Sequence, residues 1–219
     1  MGVIVLVVLV GVAASSISGT GSGPLDIITG NEAPKFEFEA GKLKAVETAA
    51  ERHRKQAIAA AEAPAEAATE RLDGLYTAAF LDPGSWEEGS YDDVLGFFAR
   101  DARDAAEDQL DVLTAGPEAG EAFEAIVPMP SSLKMQVLLD PSGVPRSVEG
   151  TAKFRARGKG ADGQVLFVSD GEFILEKIDG EWLVVSFSVQ RGDEEREPKT
   201  GASSSAGASE SAQASEEES

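Results

Sequence analysis

Residues 164–191, QVLFVSDGEFILEKIDGEWLVVSFSVQR, constrain the fold more than any other stretch, because two runs rich in β-branched and aromatic residues flank Asp179-Gly180. An Asp-Gly pair between alternating runs marks a two-residue hairpin turn, whose central residues both need positive φ. A long β-hairpin is therefore predicted. Val165, Phe167, Phe173 and Leu175 share one face of its first arm, with a bulge or bend expected at Asp170-Gly171. Leu183, Val185, Phe187 and Val189 share a face of the second arm opposite Ser186 and Ser188, and Trp182 is expected to pack across the strands.

Two further strands precede it. Leu133, Met135, Val137 and Leu139 alternate with Lys134 and Gln136, and Asp140-Pro141-Ser142-Gly143 supplies a turn. Across residues 147–157, Val148, Gly150, Ala152, Phe154 and Ala156 fall on one face and Glu149, Thr151, Lys153, Arg155 and Arg157 on the other. Such alternation predicts an antiparallel sheet with one buried and one wet face. Before Pro128 and Pro130 the period is helical. Leu72, Leu75, Tyr76, Ala79 and Phe80 form an apolar stripe within residues 65–81, and shorter helices are expected over 91–98, 101–113 and 119–126. Helices first and a sheet of about four strands last describe an α+β domain over residues 64–191.

The flanks differ from this domain. Residues 1–17 carry no charged side chain, and residues 3–12 are nearly all Val, Leu and Ile. The run is short for a spanning helix, which needs roughly 17–25 apolar residues, and is read as a membrane anchor or a signal segment, with a buried core strand as the alternative. No Lys or Arg precedes it, so a basic upstream segment is expected to be missing. Residues 18–40 read as a Gly/Ser-rich linker. Residues 41–63, rich in Ala, Glu, Lys and Arg, read as an exposed stalk helix, which Pro64 interrupts or restarts. The cluster Arg52-His53-Arg54-Lys55 is taken as a solvated helical face. Residues 192–219 are mainly Asp, Glu, Ser, Ala and Gly and read as a disordered acidic tail.

Composition removes several function classes. A formal charge of −20 disfavours nucleic acid as a partner. The chain has no cysteine and one histidine, His53, so thiolate and histidine metal sites are not expected, and no EF-hand spacing occurs. The glycine-rich residues 158–163 join two strands and lack the strand-to-helix setting of a phosphate loop.

The order of elements, together with residues 173–187, FILEKIDGEWLVVSF, resembles the terminal hairpin of the nuclear-transport-factor-two-like, cone-shaped fold. The wider layout of apolar N-terminus, stalk and small domain is similar to actinobacterial Mce-associated membrane proteins. The resemblance implies a deep pocket between helices and concave sheet, which some members use as isomerases, dehydratases or cyclases. Such chemistry needs a general base and an oxyanion donor, and Asp73, Tyr76, Tyr91 and Asp92 are the candidates. Each has an ordinary explanation on a helix face or rim, and the inward sheet positions are Val, Phe, Ala and Gly. The expectation is a non-enzymatic module without cofactor or metal, anchored at a cell membrane with its main domain outside the cytoplasm, and serving an envelope protein complex. A protein with an apolar small-molecule or lipid pocket and an isomerase-like enzyme are the alternatives.

Overall fold

The computed structural model describes residues 4–8, 33–47, 54–88, 90–160 and 163–196. In chain order the elements are β1 (Ile4–Val8), β2 (Glu39–Glu47) and α1 (Arg54–Tyr76), which continues into a π-helical turn, Thr77–Leu81. Five short helices follow: α2 (Pro83–Glu88), α3 (Asp92–Leu95), α4 (Arg100–Glu107), α5 (Leu110–Leu113) and α6 (Ala119–Ala122). Strands β3 (Ala125–Pro128), β4 (Ser132–Leu139), β5 (Pro145–Gly160), β6 (Gly163–Ile178) and β7 (Glu181–Arg196) complete the described chain. The α+β class is as expected.

The strands form one seven-stranded mixed sheet in the order β1-β2-β4-β5-β6-β7, with β3 pairing β5 beyond the end of β4. Only β2 and β4 run parallel. At the Asp179-Gly180 turn the φ angles are 52° and 97°, the left-handed pair that this dipeptide tolerates. Strands β5 and β6 pair without a register break from Ser147↔Glu176 to Gly160↔Gly163, so their side chains keep strict alternation. Val148, Ala152, Phe154 and Ala156 of β5 and Phe167, Phe173 and Leu175 of β6 are buried against the helical layer.

α1 lies on that inner face. Ala57, Ala61, Ala65, Ala68, Leu72 and Leu75 recur at spacings of three and four and are buried. Tyr76 then meets a cluster of rings: its centroid lies 5.0 Å from Phe154, 5.1 Å from Phe38, 5.8 Å from Phe80 and 6.1 Å from Phe173. Gly171 permits this closure. A Cβ there would stand 2.6 Å from Phe173 Cε2 and 3.0 Å from the Tyr76 hydroxyl.

Several expectations are corrected. The sheet has seven strands, not about four. Residues 39–47 are strand β2, not the start of a stalk helix, and the described helix begins at Arg54. Helix propensity loses there to tertiary pairing: β4 offers β2 a full parallel edge, and Leu43 and Ala45 are buried. Pro64 neither ends nor restarts a helix but sits inside α1, whose packed alanine face continues on both sides of it.

The expected linker is also wrong at its end, because Phe36 and Phe38 belong to the core. Within the run expected to be a membrane anchor, Ile4–Val8 form β1 and pair antiparallel with β2. An Ile/Val-rich run suits a strand as well as a span, and β2 presents an unpaired edge to it. Among the described residues, no helix is long and apolar enough to cross a membrane. Residues 1–3, 9–32 and 48–53 lie outside the described residues. The tail begins later than expected, since β7 runs to Arg196, and residues 197–219 lie outside the described residues.

Smaller differences follow from pairing. The expected helix 119–126 stops at Ala122 because Ile126 joins β3, and the expected helix 101–113 divides into α4 and α5. No bulge falls at Asp170-Gly171. The break lies between Ile174 and Leu175, where Ser186 and Val184 are their partners and Val185 is left over. Val184 therefore points into the core in place of Leu183 and Val185.

The linker and core readings of Phe38 differ in stability. Phe38→Ala is expected to cost about 3–5 kcal/mol in urea denaturation, whereas Lys35→Ala stays within about 0.5 kcal/mol. Equal, small effects of the two substitutions would contradict the packing described.

Candidate functional site

The four candidate residues do not converge on one place. Asp73, half-buried on α1, accepts a hydrogen bond at 2.9 Å from the Phe38 backbone N–H. Burial raises its pKa to about 6; that hydrogen bond pulls it down, and the charges of Glu37 and Glu70 push it up. Tyr76 is 2% exposed, and its hydroxyl pairs with Ser169 Oγ at 3.3 Å. Burial holds the phenol well above its usual range, the Ser169 hydrogen bond opposes this, and the Asp170 charge adds to it. Tyr91 donates at 2.6 Å to the carbonyl of Gly116, a residue with φ of +101°. Burial raises this phenol too, against the pull of the Thr114 hydroxyl and the Arg191 charge. Asp92 is exposed in the first turn of α3.

Each buried candidate thus has a structural partner. Asp73 holds the entering chain on α1, Tyr76 joins helix to sheet, and Tyr91 fastens the loop after α5. A base and an oxyanion donor would have to face a shared space. These side chains instead pair with the Phe38 N–H, the Ser169 hydroxyl and the Gly116 carbonyl, each a different structural contact. The inner face itself is occupied: Phe154 and Phe173 are fully buried, and Phe187 is half-buried with its ring 5.2 Å from Phe98.

The outer face is different. An open groove of about 310 Å³ lies across β5, β6 and β7, lined by Thr151, Lys153, Asp170, Glu172, Ser188 and Gln190. Strand register builds it from two rows: Thr151, Glu172 and Ser188 are consecutive partners, and so are Lys153, Asp170 and Gln190. Alternation turns all six side chains outward. The lining offers one ammonium, two carboxylates, two hydroxyls and an amide. It can hydrogen-bond a polar chain or small polar ligand, and it contains no histidine or cysteine nucleophile. Among the described residues, no group of three or more His, Cys, Asp or Glu could hold a metal ion.

Two elements of this arrangement escaped sequence reasoning. The outward residues of β5 read only as a wet face, because one strand does not reveal which side chains its neighbours place beside it. Arg191 read only as the end of the hairpin. Its Nη1 donates to the carbonyls of Asp111 at 2.8 Å and Thr114 at 2.6 Å, and its guanidinium lies 5.3 Å from the Phe167 ring centroid. Asp193 accepts from its Nε at 2.9 Å and orients it. Arg191 therefore fastens β7 to the helical layer. The chain matches no protein-family model, and no curated protein matches it.

Because its pKa is raised, Asp73 contributes stability that is full below its ordinary pKa of 3.8 and is lost as pH rises through about 6. Asp73→Asn keeps an acceptor for the Phe38 N–H without the charge. Relative to this variant, the wild type is expected to lose stability between about pH 4 and 6, and to be no more stable than it above pH 6. Urea midpoints of the two proteins across that range provide the check, and a constant offset would contradict it. Arg191→Ala, which frees two carbonyls, is expected to cost about 1–3 kcal/mol in the same assay.

Proposed function

We propose that the chain is a non-enzymatic binding or assembly module whose contacts are made on the outer face of the sheet. The observation that carries this reading is the division of labour between the two faces. Aromatic rings pack the inner face, while the groove over β5–β7 presents hydrogen-bonding side chains to solvent. The ring cluster weighs against an apolar carrier, and the separate partners of Asp73, Tyr76 and Tyr91 weigh against an isomerase. The long terminal hairpin, with a helical layer on one face of the sheet, supports a cone-shaped domain of the nuclear-transport-factor-two-like kind.

Within this proposal, the module serves a cell-envelope complex and is held outside the cytoplasm by the apolar residues 1–17, as in Mce-associated membrane proteins. The support for attachment is composition alone. Ile4–Val8 cannot pair with β2 and cross a bilayer at once, so the anchored form would carry β2 with an open edge.

The absence of cysteine makes single-cysteine labelling clean. A photo-crosslinker on Ser188→Cys, in membranes of the source cells, is expected to yield one discrete protein adduct. The same label on Ser142→Cys, in the β4–β5 turn, should yield none. Adducts that are diffuse or identical at both positions would overturn the binding-face reading. Protease added to intact spheroplasts is expected to digest the domain; full protection would overturn its external placement.

A further inference from the structure

The outer face of β5 carries a concentration of positive charge in an otherwise acidic chain. Lys153, Arg155, Arg157 and Lys159 occupy alternate positions on it, four of the chain's 19 Lys and Arg residues against a net charge of −20. Successive side chains on one strand face stand about 6.6–6.8 Å apart, so the stripe is about 20 Å long. We propose that it seats an extended acidic segment of a partner protein, with carboxylates at every second residue. This deepens the outer-face reading and rests on it.

The match is geometric. An extended polypeptide repeats its side chains at the same interval as β5, so alternate carboxylates stay in step with the cations along the whole stripe. Two cations are free to receive them: among the described residues, neither Lys153 nor Arg157 has an ion-pair partner. The others have partners, Arg155 in Asp170 at 3.4 Å and in the Phe154 carbonyl at 2.9 Å, and Lys159 in Glu124 at 2.9 Å. The two ion pairs lie at the surface, where such pairs are weak and exchange readily. The chain's overall negative charge does not forbid approach, because its field is screened beyond about 8 Å at physiological ionic strength.

The neighbours of the stripe select this partner over other polyanions. Arg157 sits between Val127, which is 54% exposed, and Leu166, and Arg155 pairs with Val168. These apolar flanks suit the methylene stems of a peptide's acidic side chains. None of the positions in these rows offers an outward aromatic ring on which a nucleic-acid base could stack. A lipid surface would meet the whole face at once, including Glu149, Glu172 and Glu194, whereas a narrow chain meets the four cations with only Asp170 and Glu124 beside them.

The test uses the full chain and two fluorescein-labelled peptides of equal composition, one with Glu alternating with Val and Ser, the other with its Glu residues contiguous. Fluorescence anisotropy is expected to show the alternating peptide binding several-fold more tightly. Arg157→Glu and Lys159→Glu, each with an unchanged circular dichroism spectrum, should weaken it roughly five- to tenfold, while Lys134→Glu off the stripe should not. Equal binding of both peptides, stripe variants that bind like the wild type, or tighter binding to phosphatidylglycerol vesicles or oligothymidylate would each overturn the proposal. If Ser188→Cys still gives its discrete adduct under those results, the outer-face reading stands and only the acidic partner falls.

Discussion

The packing of Tyr76 among Phe38, Phe80, Phe154 and Phe173 is the contact on which the rest of the structure depends. It joins three parts of the chain that are distant in sequence: the entry segment before β2, the end of α1, and the centre of the β5–β6 pair. Large rings on one side require small residues on the other. Gly171 and Ala152 face each other across β6 and β5, and Gly150 lies where a Cβ would come within 2.8 Å of Leu72 Cδ1. The helix can approach the sheet because those positions lack bulk. The Tyr76 hydroxyl, deep in this cluster, is matched by Ser169, which avoids the cost of an unpaired buried donor.

This arrangement directs where function can be sought. A domain with its helices on a long sheet has one face committed to its core and one left for solvent. Here the committed face is filled with aromatic and aliphatic side chains, and its margins are closed by specific ties. Arg191 reaches from β7 to the carbonyls after α5, and the Ala115 N–H donates to the Ala79 carbonyl of the π-helical turn at 2.9 Å. Helical layer and sheet are joined again where the Ala99 N–H donates to the Val184 carbonyl at 2.8 Å and the Val184 N–H to the Phe97 carbonyl at 3.0 Å. The free face inherits a groove and a line of cations because β5 and β6 remain in register over most of their length.

How much of this was legible depends on whether the determining contacts are local. The hairpin, its Asp179-Gly180 turn, the alternation of β4 and β5, and the stripe from Leu72 to Phe80 could be read directly, since periodicity and turn chemistry act over a few residues. The bulge was misplaced because the leftover Val185 is defined by the partner strand. Strand β2 was missed because its Ala, Lys and Glu content favours a helix, and only the parallel edge of β4 reverses that preference. Phe36 and Phe38 were hidden by the glycine-rich composition that precedes them.

The candidate site divides in the same way. Sequence alone determined that the chain is acidic, has no thiol and too few histidines for a histidine metal site, ends its domain in a long antiparallel hairpin, and turns Lys153, Arg155 and Arg157 to a wet face. Tertiary structure decided what those residues stand beside. It assigned Asp73, Tyr76 and Tyr91 to separate structural partners, and it set Thr151 beside Glu172 and Ser188, and Lys153 beside Asp170 and Gln190. The physical reason is that alternation fixes the face a side chain takes, while cross-strand register and helix docking, set by contacts between residues far apart in the chain, fix its neighbours.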